Sequence, residues 1–144
     1  MEKKKVLFVC IHNSARSQMA EEILRQLAGS RFDVESAGLE PGKLNLFAVE
    51  VLKEIGIDIS DKKTQAAADL IKAEKKYHYV VTVCDEASAE QCPNFPGIHE
   101  RLHWGFEDPS RFAGSDGEKL NKTREVREQI KLKIEEWLRS HPAE

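Results

Sequence analysis

The chain has 144 residues, a length that fits one domain around one core. Its net charge of −3 gives no basic surface for nucleic acid or a membrane, so an anionic ligand would have to be held by a local site. Val6 to Ile11, the longest apolar stretch near the N-terminus, is too short for a membrane span or a signal segment, and three cysteines are too few, and an odd number, for a disulfide-stapled secreted domain. A cytoplasmic monomer with free thiols is expected.

Val6-Leu7-Phe8-Val9 reads as a buried parallel strand. His12, Asn13 and Ser14 are loop residues. A helix is expected from about Arg16, with Met19, Ala20, Ile23, Leu24 and Leu27 at spacings of three and four and Gly29 as its stop. Phe32 to Ser36 reads as a second strand ended by Gly38. Asn45 caps a second predicted helix, whose face is Ala48, Val51, Leu52 and Ile55. A weaker helix spans about 66–75, and Tyr79 to Val83 is a β-branched strand ending at Cys84. Residues 85–97 form a polar, mobile connection closed by Pro93, Pro96 and Gly97. Ile98 to Trp104 is a fourth strand. Past a loop from Gly105 to Gly117, a long amphipathic helix carries Leu120, Val126, Ile130, Ile134, Trp137 and Leu138. This alternation predicts a single-domain α/β fold over residues 1–144, with a four-stranded parallel sheet flanked by helices on both faces. Ligands of such sheets bind beyond the carboxyl ends of the strands, where the segment from Cys10 onward falls.

Cys10-Ile11-His12-Asn13-Ser14-Ala15-Arg16-Ser17 is a C-x5-R-S loop between strand and helix. A short loop of this kind turns successive N–H groups inward as an anion nest, and the following helix adds its positive end. Ile11, His12, Asn13, Ser14 and Ala15 are therefore candidate oxyanion-binding residues through their backbone. Arg16 adds a planar fork for two oxygens, and Asn13 tolerates the left-handed conformation that a tight loop needs. A thiol beside a helix N-terminus and an arginine is acidified, so Cys10 is expected to be a thiolate nucleophile, with Ser17 donating a hydrogen bond to its sulfur. His12 is expected to be mainly a loop residue.

This loop resembles the phosphate-binding loop of low-molecular-weight protein tyrosine phosphatases and of the thioredoxin-coupled arsenate reductases that share their fold. Ser36-Ala37-Gly38 and Ile57-Asp58-Ile59-Ser60 resemble further segments of those families. The loop itself does not separate the two activities. Phosphatases of this fold often carry a second cysteine just before the loop arginine, where this chain has Ala15.

Cys84 and Cys92 bear on that choice. A phosphatase has no chemical need of them, whereas converting As(V) to arsenite takes two electrons. One thiol forms the adduct, a second attacks it to leave a disulfide, and a third moves that disulfide to an accessible place. Val81-Thr82-Val83-Cys84 followed by Cys92-Pro93 resembles the reductase segment, which implies the order Cys10, Cys84, Cys92 and thioredoxin as reductant. A disulfide requires Cα atoms within roughly 7 Å, but eight residues of helix span about 12 Å. A redox-linked rearrangement of residues 85–92 is therefore expected. Zinc held by Cys84, Cys92, His99 and His103 is disfavoured by the wide cysteine spacing, and the relay needs neither metal nor organic cofactor.

Trp104-Gly105-Phe106-Glu107-Asp108-Pro109 resembles the reductase version of an Asp-Pro segment whose aspartate is the general acid in both families. Asp108 would protonate the departing oxygen from an apolar rim, with Glu107 as a weaker alternative. Ser110-Arg111 stand where phosphatases tend to have aromatic residues, which favours a small inorganic substrate. The resemblance implies arsenate reduction, the alternatives being phosphate-monoester hydrolysis through a Cys10 phosphoenzyme and a non-catalytic oxyanion or redox sensor.

Overall fold

β1 (Lys4–Cys10) is buried from Val6 onward because both its edges are paired. It lies parallel to β2 (Phe32–Gly38) on one side and to β3 (Tyr79–Thr82) on the other, and β3 carries β4 (Glu100–His103) at the sheet edge. The order is β2-β1-β3-β4, all parallel. Such pairing leaves no edge for water on β1, which is why its sequence is continuously apolar rather than alternating. The computed structural model describes residues 3–85, 89–97 and 99–142. Part of the expected 85–97 connection and Ile98 thus lie outside the described residues.

Alternate β1 side chains feed two cores. Val6, Phe8 and Cys10 pack with α1 (Arg16–Ala28), α2 (Leu46–Lys53) and α4 (Asp116–Ser140), through Met19, Ile23, Leu52, Val126, Ile130 and Trp137. Leu7 and Val9 face α3 (Ala67–Lys72), with Leu70, Tyr77, Val80, Phe95 and Cys92. Helices cover both faces, as the alternation of elements predicts. Asn45 caps α2 by accepting from the Ala48 N–H at 3.0 Å. β4 is shorter than expected. Trp104 keeps one ladder bond, its N–H to the Thr82 carbonyl at 2.8 Å, but its ring turns into the first core against Phe8 and Trp137. A 3₁₀ turn, Pro109–Arg111, interrupts the following loop.

Ile130 is fully buried where α4 meets α1 and the sheet. Ile130→Ala is expected to lower unfolding stability by about 2–5 kcal/mol through lost transfer energy and the cavity left behind, measured by urea denaturation.

Candidate active site

Cys10 ends β1 and Arg16 begins α1, so the residues between them reverse the chain tightly. Their carbonyls are tied outward. Those of Cys10, Ile11, His12 and Ser14 accept from the N–H groups of Leu39, Glu40, Gly42 and Asn45, and that of Ala15 from Met19, at 2.8–3.1 Å. The Asn13 carbonyl accepts from Gln18 Nε2 at 3.1 Å. In a trans peptide the N–H opposes the preceding carbonyl, so the N–H groups of residues 11–16 are turned into the loop. The Asn13 N–H points at Cys10 Sγ, 3.2 Å away, and Ser17 Oγ lies 2.9 Å from the same sulfur. His12 is exposed and its Nδ1 pairs with the Glu40 carbonyl, the loop role expected of it.

Beneath the loop is a buried polar network. Asn13 has φ 56° and is fully buried. Its Nδ2 donates to Ser17 Oγ at 2.7 Å and to Ser36 Oγ at 2.9 Å, while its Oδ1 accepts from the Gln65 N–H and Gln18 Nε2, both at 3.1 Å. The Gln65 N–H can only donate, which fixes the amide's orientation. Ser17 therefore accepts from Asn13 and keeps its own hydrogen for the Cys10 sulfur. Ser36 Oγ donates to Glu21 Oε1 at 2.6 Å, and Glu21 Oε2 is held by Lys62 and Arg25 at 2.6 and 2.8 Å. Gly38 lets the loop cross β2. A Cβ there would sit 2.8 Å from Ile11 O, the His12 carbonyl carbon and Asn13 N.

Arg16 is buried, and it connects the loop to the Asp-Pro segment. Its Nη1 donates to the Phe106 carbonyl at 3.2 Å, and its Nη2 lies 3.5 Å from Asp108 Oδ2. Asp108 also caps the 3₁₀ turn, its Oδ1 accepting from the Ser110 N–H at 3.0 Å. The carboxyl thus faces a guanidinium rather than the apolar rim expected, because the cap and the Arg16 contact together aim it into the loop mouth. There a cleft of about 670 Å³ opens. Ile11, Glu107, Arg111 and, from α4, Gln129 line it, with Phe106 and Phe112 as apolar walls.

Cys84 shares the first core with Cys10. Burial pushes its thiol up to about 11, opposed by Arg16 and reinforced by Cys10 and Asp85. Cys92 is elsewhere. It is buried in the second core, on the opposite face of the sheet, and burial raises its thiol too, with Arg101 pulling the other way. All three cysteines are free. The structure brings Cys10, Arg16, Ser17, Cys84 and Asp108 to one site and leaves Cys92 behind the sheet. Among the described residues no cluster of three or more His, Cys, Asp or Glu suits a metal, and no helix is long and apolar enough to cross a membrane. Sequence reasoning missed Gln18, Glu21, Lys62 and Gln65, which support the loop with Ser36, and Phe112 and Gln129, which line the cleft with Arg111. Gln18 lies on the polar side of α1 with Glu21, Glu22 and Arg25, so no local signal marked the first group.

This arrangement is a strand–loop–helix cradle of inward N–H groups with a cysteine at its base. The profile of the low molecular weight phosphotyrosine protein phosphatase family matches residues 5–144, and the chain belongs to that family. Within it, the chain is similar to arsenate reductases. It is 45% identical to the arsenate reductase of Halalkalibacterium halodurans over 136 residues, 93% of this chain and 94% of that protein. A solved arsenate reductase in the phosphate-binding state superposes with a TM-score of 0.74 at 32% identity, over 95% of this chain and 98% of that one. The thioredoxin-dependent arsenate reductase of Corynebacterium glutamicum superposes at 0.69 with 31% identity, over 97% of this chain and 62% of that one.

Gly38→Ala is expected to push the loop aside and weaken binding of inorganic phosphate about tenfold, roughly 1.4 kcal/mol by calorimetry, with the helical circular dichroism retained. Alkaline stability tests the burial of Cys84. An unfolded thiol loses its proton near 9.0 and the folded one only near 11, so raising the pH through this window favours the unfolded chain. The urea midpoint should fall from pH 9 to 11, and fall less in Cys84→Ala.

Proposed function

We propose that this chain reduces arsenate to arsenite, and that it does so as a single-domain cytoplasmic monomer, the setting its free thiols favour. The observation that carries the reading is the placement of a second thiol, Cys84, in the core of Cys10 and within electrostatic reach of Arg16. Arsenate sits in the nest of N–H groups from Ile11 to Arg16, with two oxygens on the Arg16 fork. Cys10 Sγ, steadied by Ser17 and the Asn13 N–H, forms a bond to arsenic while an As–O bond breaks. Asp108 protonates the departing oxygen, which leaves as water. Cys84 then attacks Cys10 Sγ, its thiol proton passing to an oxygen of the departing arsenic group. The S–As electron pair goes to arsenic, which leaves as arsenite in the As(III) state, and a Cys10–Cys84 disulfide remains. Cys92 attacks Cys84 Sγ, frees Cys10 and leaves a Cys84–Cys92 disulfide, which the dithiol of thioredoxin reduces. The two electrons given to arsenic thus come from thioredoxin. The thioredoxin dependence of the Corynebacterium glutamicum relative supports that choice of reductant.

For the third step Cys92 must leave the second core, where it packs with Val80, Phe95 and Tyr77. A redox-linked rearrangement of residues 85–92 follows, of which 86–88 lie outside the described residues. A second reading, hydrolysis of aryl phosphates through a Cys10 phosphoenzyme, is favoured by the Phe106 and Phe112 walls of a cleft larger than one oxyanion needs.

Arsenate-dependent NADPH oxidation, coupled through thioredoxin and its reductase, tests the relay. Wild type should turn over repeatedly, Cys10→Ser should be inactive, and Cys92→Ser should stop after about one equivalent of arsenite. Aryl phosphate hydrolysis with no arsenate-dependent NADPH use would give the second reading instead.

A further inference from the structure

We propose that Asn45 is a positioning residue for Asp108: its side-chain amide holds Ser110, and through Ser110 it aims the carboxyl at the oxyanion in the loop. This rests on the acid role given to Asp108 above.

Asp108 lies between β4 and α4, in a stretch whose regular structure is one 3₁₀ turn, Pro109–Arg111. A carboxyl carried by such a stretch is placed by what ties the stretch down. On the side before it, the Phe106 carbonyl accepts from Arg16 Nη1 at 3.2 Å. On the side after it, Asn45 Nδ2 lies 3.0 Å from Ser110 Oγ. The direction of this second bond is fixed. Asn45 Oδ1 accepts from the Ala48 N–H at 3.0 Å, and an N–H can only donate, so the amide nitrogen faces Ser110 and donates to it. Ser110 in turn gives its backbone N–H to Asp108 Oδ1 at 3.0 Å, which leaves Oδ2 as the carboxyl oxygen on the loop side, 3.5 Å from Arg16 Nη2. Asn45 also reaches the loop itself, its N–H donating to the Ser14 carbonyl at 2.9 Å. One residue thus grips the loop by its backbone and the turn of Asp108 by its side chain, and the spacing of the two is set across it.

The first step of the relay needs that spacing. Cys10 Sγ bonds to arsenic, and a hydroxyl oxygen leaves with the As–O electron pair, takes the proton of Asp108 Oδ2 and departs as water, with arsenic still As(V). Such a transfer requires hydrogen-bond reach between the carboxyl and the departing oxygen, and a misplacement of about 1 Å can cost about 100-fold. Arg16 is also the residue that takes two arsenate oxygens. The part of the aim that survives substrate binding therefore comes from the Ser110 cap and the Asn45 bond behind it.

The test is a rapid-quench, single-turnover reaction of the full chain with saturating arsenate, following loss of the Cys10 thiol by alkylation and mass spectrometry. Asn45→Ser keeps a hydroxyl that caps α2 but is too short to reach Ser110, and Ser110→Ala keeps the backbone N–H that caps Asp108. Each should slow the reaction about tenfold, part of the slowing of about 100-fold expected of Asp108→Ala, while inorganic phosphate, measured by calorimetry, binds as in wild type. In an Asp108→Ala background neither change should slow the reaction further, because both act through the carboxyl. A merely structural role would persist there. Either variant reacting at the wild-type rate, an equal slowing on top of Asp108→Ala, or a loss matched by weaker phosphate binding overturns the proposal. Asp108→Ala reacting at the wild-type rate, or a wild type whose Cys10 thiol arsenate never consumes, overturns the acid role or the reductase reading and this inference with it, results distinguishable from failure of Asn45 alone.

Discussion

The Asn13 amide fixes the geometry on which the site depends. It is fully buried, at φ 56°, and uses both its hydrogens and its oxygen on Ser17, Ser36, Gln18 and Gln65. An unmade bond on such a group costs about 1–3 kcal/mol, so four of them together hold the loop in one conformation. That conformation turns the carbonyls toward residues 39–45 and the N–H groups inward. The loop is thus preorganised by contacts made on its outside, and binding of the proposed oxyanion would have little reorganisation left to oppose it. The network continues through Ser36 to Glu21, whose carboxylate is balanced by Lys62 and Arg25. A buried carboxylate without those cations would be costly, so the loop's support extends from β1 to the segment that carries Lys62.

Much of this was legible in the sequence for specific physical reasons. A parallel strand paired on both edges is apolar throughout, so Val6 to Val9 announced β1. Asn45 and the apolar spacing after it announced α2. Cys10 and Arg16 carry their chemistry in a spacing that only a strand–loop–helix turn makes useful. The supporting residues were illegible because their partners are remote in sequence. The Gln65 N–H meets Asn13 across 52 positions and Lys62 meets Glu21 across 41, and nothing local distinguishes those residues from solvated ones. The Asp-Pro segment was half legible. The dipeptide pointed to Asp108, but its capping of the 3₁₀ turn and its approach to Arg16 depend on how the loop after β4 folds back.

The position of Cys92 follows from the same tension between reactivity and burial. In the reduced fold its sulfur fills part of the second core beside Tyr77 and Phe95, a pair packed edge to face at 5.7 Å. A thiol stored this way is protected from stray oxidation, since its thiolate is disfavoured and its surface is covered. Moving it to Cys84 removes a small apolar group from a packed core, at a cost of order 1–2 kcal/mol for a side chain of this size. In the proposed relay, forming the Cys10–Cys84 bond would supply the reason to move, because only then would Cys84 present a disulfide to attack. Burial would then act as a gate. While Cys10 and Cys84 are thiols, the packed position of Cys92 is favoured. Once they were joined, leaving the core would lead to a disulfide that an external dithiol can reach, and the proposed order of the three thiols would follow from which of them the sheet separates.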